Sequence, residues 1–576
     1  MRDCGHFDIP AETAAEALLA LMKARGIDYI FANAGTDFPP LIEAYGRAGE
    51  SGLDLPEPIS VPHENAAVSM AHGFYLGSGR MQAAMVHVTV GMANSLCALM
   101  NAARENVPIF FAAGRTPISE SGHPASRDVS IHWGQEMYDQ AGMLRELVRW
   151  DYELRYSGQI ETVVDRAMAI ANSDPGGPVY LGMPRETLAE VIDGFAFDAD
   201  SAIRPARATG VDMAAIEEAA DILVRAERPI LITGRSGRDP DAVAALAELA
   251  ETLAIPVVEY RANYMNLPSD HPMHAGFDFE PDFAPEFAKA DAVVVLDTPA
   301  PWLPARHEVP HHALVIQIGA DPLAMDIPIR GFAVDVPIMS RPAAALPALT
   351  AAIRSHAAHD EDRIDRRRQA LAERHAGRRT SLRDKLLPQS PPAKMTAAWA
   401  SHCLDAARPE GSLIVNEIGC VRPVMDITEP GSFFGPSNAG GLGWGLPASL
   451  GLKMARPDRM VICCTGDGSA MFANPVACHQ AALANGIATL TLVFNNRRWN
   501  AVKTATESVY PGGHAMRANR VPMTALDPSP DFGRVMEACG GYGETVDDPA
   551  ALPDALKRAM ERVARGQPAL LNIMTE

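Results

Sequence analysis

Short runs of Val, Ile, Leu and Ala recur along the chain, separated by longer stretches whose apolar positions return every three or four residues. The first third carries "YIFANAG", "MQAAMVHVTVG", "VPIFFAAG" and "GPVYLGMP". The middle carries "RPILITGRSG", "IPVVEY", "DAVVVLD" and "LVIQIGADP". The last third carries "GSLIVNE", "RMVICCTGDG", "ATLTLVFNN" and "PALLNIM". Uninterrupted apolar runs are strands buried on both faces, and their alternation with helical stretches predicts parallel sheets covered by helices. The expected fold class is α/β, in three doubly wound parallel-sheet domains.

A chain of 576 residues is too long for one core. The pattern breaks near 190–210, and a charged helix-prone stretch, "DEDRIDRRRQALAERHAGRRTSLRDK", ends in the proline-rich "LPQSPPAKM". These joints predict domains at 1–190, 205–350 and 393–576, with a helical linker at 351–392. The charge run itself reads as a solvated helix face.

The net charge of −21 disfavours nucleic-acid and anionic-membrane partners. No apolar run reaches the ~20 residues that span a bilayer, and "MRDCGHFDIP" has no signal-peptide core. The eight cysteines show no CxxC spacing and two are adjacent inside a strand, which argues against zinc or a disulfide framework. A reducing cytoplasm is the expected compartment.

Two strand ends carry the candidate chemistry. Gly466-Asp467-Gly468-Ser469-Ala470 follows "MVICCT", and Asn495-Asn496 closes "TLTLVF", with Asn496 29 positions after Asp467. The C-terminal end of a parallel strand is where α/β folds bind ligands, and glycines there let backbone N–H groups approach a phosphate. An aspartate beside a phosphate repels it unless a hard divalent cation lies between them. Mg²⁺ takes oxygens from a carboxylate, an amide carbonyl and phosphates together. Taken singly, each motif also reads as an ordinary turn after a strand.

The two motifs at this spacing resemble the signature of thiamine-diphosphate enzymes, in the branch of acetolactate synthase, benzoylformate decarboxylase and pyruvate decarboxylase. The resemblance covers nearly the whole chain and implies pyrimidine-binding, middle and diphosphate-binding domains in that order. It implies Mg²⁺ ligands at Asp467, Asn496 and the carbonyl of Arg498. Gly468, Ser469 and Ala470 would hold the diphosphate, with Ile418, Gly419 and Cys420 closing over it. In "ISVPHENAAVSMAHGF", a strand ending in His-Glu before an alanine-rich helix makes Glu64 the carboxyl that activates the cofactor. An ordinary first-turn glutamate is the alternative. In "NAGGLGWGLPAS", Leu442 resembles the prop that bends the cofactor, with Leu442 N–H and the Gly440 carbonyl on the pyrimidine, and a tight packing corner is the alternative. The family builds each site across two subunits, which implies a homodimer at minimum and a homotetramer as the fuller assembly.

The implied substrate is a 2-oxo acid, which loses CO₂ to leave an enamine that is protonated or captured by a second carbonyl. Non-oxidative decarboxylation, carboligation or both would follow. His87 in "VHVTVGMAN" resembles the proton-relay histidine of benzoylformate decarboxylase, against the alternative of a satisfied strand-end histidine. Thr36 in "NAGTDFPP" matches a small hydroxyl residue near that enzyme's substrate. Gln135, close to His132 in "IHWGQE", matches a glutamine that acetolactate synthases place near the cofactor. A true acetolactate synthase is the named alternative, but Ala505 stands where that group carries an acceptor-selecting tryptophan. Phe277-Asp278-Phe279 and Thr298-Pro299-Ala300 replace its flavin-associated residues, so FAD is doubtful. A flavin-dependent oxidase of the pyruvate oxidase kind is the further alternative. The glycines of "TGRSGRD" are weak evidence for a nucleotide, and Trp499 and Tyr510 read either as residues shaping the mouth of the site or, the commoner case, as core aromatics.

Overall fold

The computed structural model describes residues 6–198, 203–208, 210–277, 284–518 and 521–576. Asp278 and Phe279, named above for flavin, lie outside the described residues. Contacts divide the chain into two compact units. The first holds Met1–Arg207, Pro436–Thr545 and Arg558–Asn572, and the second holds Ala208–Gly435, Val546–Lys557 and Ile573–Glu576.

In the first unit six strands lie parallel in the order Glu57–Ser60, Tyr29–Ala32, Ala83–Val86, Phe110–Arg115, Val179–Pro184, Asp151–Glu153. Alternate residues of the central strands feed two cores. Ile30, Ala83, Phe110 and Leu181 join the side chains of helices Ala14–Ala24 and Ile160–Ala171. Phe31, Ala84, Phe111 and Tyr180 join those of helices Glu64–Ser78 and Val88–Arg104. This two-sided burial is what uninterrupted apolar strands require. The strand order reverses between Tyr29–Ala32 and Ala83–Val86, which opens a crevice outside their C-terminal ends.

His63 caps the Glu64 helix, its Nδ1 accepting the N–H of Asn65 at 3.2 Å. That helix packs closely on Gly445–Ala455 because glycine removes the side chain at the crossing. A Cβ at Gly73 would lie 1.9 Å from the carbonyl oxygen of Ala448, and one at Gly451 would lie 1.9 Å from that of Met70. Also in this unit, Val461–Gly466 pairs in parallel with Leu490–Asn495, so that Gly466 faces Phe494.

The second unit has a parallel sheet in the order His274–Phe277, Val257–Glu259, Pro229–Thr233, Ala292–Leu296, Leu314–Gly319, Val336–Met339. Its order reverses between Pro229–Thr233 and Ala292–Leu296. The glycine-rich turn there is occupied by packing: a Cβ at Gly237 would lie 2.0 Å from the Met265 carbonyl oxygen, and its N–H donates to Asn266 Oδ1 at 2.8 Å. The charged stretch is one helix, Glu361–Leu386, with Ile364 and His375 as its buried residues. Its arginines are more than a solvated face, because several fasten the helix to backbone carbonyls. Arg367 Nε donates to Ala254 O at 2.8 Å, and Arg378 Nη2 to His274 O at 3.0 Å. Among the described residues no helix is long and apolar enough to cross a membrane.

Burial pushes the imidazole of His375 down to about 4, aided by the nearby Arg378, and lowers that of His274 as well. The folded chain therefore binds fewer protons than the unfolded chain between its ordinary value of 6.5 and about 4. Stability falls as pH drops through that window. Thermal melts are expected to shift downward between pH 7 and pH 4.5, and His375→Gln should flatten part of that slope.

Candidate active site

The crevice at the reversed strand order of the first unit collects three polar side chains from different loops. Asp37, buried at 2 % exposure, receives His87 Nδ1 on Oδ1 at 2.5 Å and the Val88 N–H on Oδ2 at 3.3 Å. A carboxylate only accepts, so Nδ1 carries the proton of a neutral His87 and Nε2 becomes an acceptor. Gln135 supplies the matching donor, its Nε2 lying 3.2 Å from His87 Nε2. Two glycines make room for this arrangement. A Cβ at Gly114 would sit 1.7 Å from Asp37 Oδ2, and one at Gly35 would sit 2.2 Å from the His87 ring. Thr36 Oγ1 lies 3.5 Å from His132 Nε2, and burial together with Arg185 lowers the pKa of His132. Thr36, His87 and Gln135, predicted separately, thus meet at one place.

Helix Val88–Arg104 connects this cluster to a second one. Asn94 Nδ2 donates to Glu64 Oε2 at 3.1 Å. Three residues on, Cys97 Sγ lies 3.9 Å from the carbonyl oxygen of Leu442. Asn101 then grips Gly441 twice, donating to its carbonyl at 2.8 Å and accepting its N–H at 3.1 Å. The spacing 94, 97, 101 places all three on one helix face. Gly440 and Gly443 bracket Leu442 with φ of +70° and +83°, the left-handed region that glycine enters without strain.

At the paired strand tips, Asp467 opens the short helix Asp467–Phe472. It is 4 % exposed; Oδ1 accepts the Gly468 N–H at 2.9 Å and Oδ2 has no hydrogen-bond partner. Burial raises its pKa, against the lowering pull of the N–H groups of Gly468, Arg497 and Arg498. The neighbouring asparagines do different work. Asn495 is buried and structural, its Nδ2 donating to Ser529 Oγ at 2.9 Å and Asn572 Oδ1 at 3.0 Å. Asn496 is partly exposed, and its Oδ1 accepts the Arg498 N–H at 3.1 Å. Ser469 and Ala470 are buried, and Trp499 lies over Gly468, where a Cβ would come 2.6 Å from Trp499 Cδ1. Tyr510 is 66 % exposed and is no core aromatic. Ile418, Gly419 and Cys420 belong to the second unit, where Asn416 Oδ1 accepts the N–H groups of Gly419 at 3.0 Å and Cys420 at 2.8 Å.

Three family models match in the order expected. Residues 12–143 match the thiamine pyrophosphate enzyme N-terminal TPP binding domain, 216–349 the central domain and 417–573 the C-terminal TPP binding domain. The chain belongs to the thiamine pyrophosphate enzyme family. It is 26 % identical to the sulfoacetaldehyde acetyltransferase of Rhodobacter capsulatus, covering 98 % of this chain and 94 % of that one. It is 23 % identical to the Escherichia coli acetolactate synthase isozyme 3 large subunit over 98 % and 95 % of the two chains. It is 27 % identical to the benzoylformate decarboxylase of Pseudomonas aeruginosa over 80 % and 82 %. The fold is similar to the Rhodococcus jostii thiamine diphosphate-dependent 4-hydroxybenzoylformate decarboxylase, with a TM-score of 0.77 at 21 % identity, covering 98 % and 99 % of the two chains.

Set against this thiamine pyrophosphate enzyme, the sequence reading passed over Asp37, although it adjoins Thr36, and passed over the roles of Asn94, Cys97 and Asn101. The regular 94, 97, 101 spacing along one helix was the available signal for the last three residues.

The buried charge of Asp467 is unfavourable in the cation-free chain, so Asp467→Asn should not weaken the protein itself. In EDTA its melting temperature is expected to equal or exceed that of the wild type. A drop of several degrees would show instead that the carboxylate stabilises the fold.

Proposed function

We propose that the chain is a thiamine-diphosphate- and Mg²⁺-dependent enzyme that decarboxylates a 2-oxo acid without oxidation. The products would be CO₂ and either an aldehyde or a carboligation product formed with a second carbonyl. The observation that carries this reading is the pair Asp467 and Asn496 on adjacent strand tips, the first with a buried and unpartnered oxygen. Asp467, Asn496 and the Arg498 carbonyl would hold Mg²⁺, an all-oxygen set suited to a hard cation. Gly468, Ser469 and Ala470 would hold the diphosphate through backbone N–H groups and the Ser469 hydroxyl at the start of the short helix.

When bound, thiamine diphosphate supplies a nucleophilic carbon and an electron sink for the charge left by CO₂. Glu64, oriented by Asn94 at Oε2, would hold a proton on its carboxyl group for the pyrimidine end of the cofactor. Leu442, held between two left-handed glycines in a loop braced by the Val88 helix, would pack against the cofactor. His87, its tautomer set by Asp37, moves a proton at Nε2, with Gln135 and Thr36 orienting the substrate. Flavin has no role in this reading. Two chains would complete each site in a homodimer or homotetramer of the cytoplasm. In keeping with this, helix Asn500–Val509 buries no residue, and Val90 and Met100 stand 47 % and 41 % exposed on the Val88 helix.

Acyl transfer is the second reading, favoured by the near full-length similarity to sulfoacetaldehyde acetyltransferases. Incubation with a panel of 2-oxo acids, and separately with sulfoacetaldehyde plus phosphate, should separate the two. Aldehyde or acyloin from the panel supports decarboxylation, and acetyl phosphate from the second mixture supports acyl transfer. A yellow, flavin-loaded protein that consumes oxygen would contradict both.

Glu64→Gln is expected to lower turnover by on the order of 10²–10⁴-fold while leaving cofactor affinity nearly unchanged. Asp37→Asn should reduce turnover at least about tenfold and displace the pH profile, because the amide no longer fixes the His87 proton on Nδ1. Wild-type kinetics with the same pH profile would make the Asp37–His87 pair purely structural.

A further inference from the structure

The second unit contains a cavity of about 490 Å³ between the edge strand His274–Phe277 and the long helix Glu361–Leu386. This is the size of a small-molecule site. Met273, Ala275 and Leu371 form an apolar side, and Arg374, His375 and Arg378 form a basic one. Among the described residues lining the cavity, one carboxylate stands with these cations: Glu286, which Arg374 reaches at 3.5 Å. We propose that this cavity is a second ligand site for a small organic anion, and that its occupancy is felt at the loop Ile418–Cys420.

Recognition at the cavity is electrostatic. Two guanidinium groups on one helix face, with half of the Arg374 side chain exposed, present forked donors suited to a carboxylate or phosphate. The apolar side accommodates a short hydrocarbon body. The histidines add donors and acceptors but no positive charge at neutral pH, since burial lowers the pKa of both.

Communication with the loop is a continuous chain of polar contacts. Arg378 Nη2 donates to the carbonyl of His274 at 3.0 Å and lies 3.3 Å from its Nδ1. Arginine can only donate, so His274 Nδ1 accepts and Nε2–H points to Glu259 Oε2 at 3.3 Å. Glu259 is 1 % exposed, and its Oε2 also receives Arg422 Nη2 at 2.7 Å. The Arg422 guanidinium is fixed between the rings of Phe277 and Phe433, 4.4 Å from each centroid. Arg422 stands two residues beyond Cys420, whose N–H is tied with that of Gly419 to Asn416. An anion that draws Arg378 toward the cavity loosens its hold on His274 and so changes the donor facing Glu259. Asn266 holds the other oxygen, Oε1, through its N–H at 2.6 Å and Nδ2 at 3.0 Å, so a weaker His274 donor leaves Arg422 as the remaining partner of Oε2. Arg422, and with it the loop, is the next member of the chain.

Binding at the cavity does not depend on the thiamine reading, whereas its effect on cofactor affinity does. Cofactor-free full-length protein is titrated calorimetrically with hexanoate and, separately, with inorganic phosphate. At least one is expected to bind saturably, at least about tenfold more weakly to Arg374→Ala and equally well to Thr36→Ala. Preference for hexanoate identifies an amphipathic carboxylate as the ligand type, and preference for phosphate identifies the oxyanion head alone. No saturable binding below about 10 mM, or equal binding to Arg374→Ala, overturns the site. The saturating anion should also move the half-saturation concentration for thiamine diphosphate at least about threefold in the wild type but not in Arg374→Ala. Binding with an unmoved half-saturation overturns the link to the loop.

Discussion

A carboxylate with one oxygen hydrogen-bonded and the other without a hydrogen-bond partner is costly to bury, and Asp467 is in that position at the tip of a parallel strand. A fold tolerates such a group where the missing partner arrives with a ligand. The surroundings fit that explanation: an amide oxygen on the adjacent strand, a glycine with no room for a side chain under Trp499, and a helix start immediately behind. The cation-free protein would then be destabilised at the place where binding is to be strongest, a common relation between stability and function.

The rest of the first unit supplies rigidity around that point. Glycines at 73 and 451 let two helices touch backbone to backbone, which sets the Glu64 helix and the glycine-rich loop in one framework. The Val88 helix then serves as a rail, holding Glu64 through Asn94 and the loop through Cys97 and Asn101. At its start, His87 is fixed by a buried aspartate and by an amide whose donor direction leaves a single tautomer. Side chains on helices and strand ends keep their positions better than those on free loops, as the proposed proton transfer would require.

The central strands were legible because burial on both faces leaves an unbroken apolar run, as in "VICCTG" or "AVVVL". The edge strands were much less so. Asp151–Glu153 and Val336–Met339 lie at sheet margins, are three and four residues long, and are half exposed, so their composition carries little strand signal. Asp467 and Asn496 were legible because their chemistry is paired at matching strand ends. Asp37 was not, because its partner His87 is 50 positions away and no local pattern joins them. The arginines of the long helix were read as solvent-facing, whereas long side chains can cross a surface to reach carbonyls and leave no mark in helical periodicity.

The most direct measurement is calorimetric titration of thiamine diphosphate into metal-free protein, with and without Mg²⁺. The account predicts tight binding with Mg²⁺, weakening by at least about a hundredfold in EDTA and in Asp467→Ala. Equal affinity in EDTA, or an Asp467→Ala protein that still binds tightly, would contradict a cation bridge at the paired strand tips.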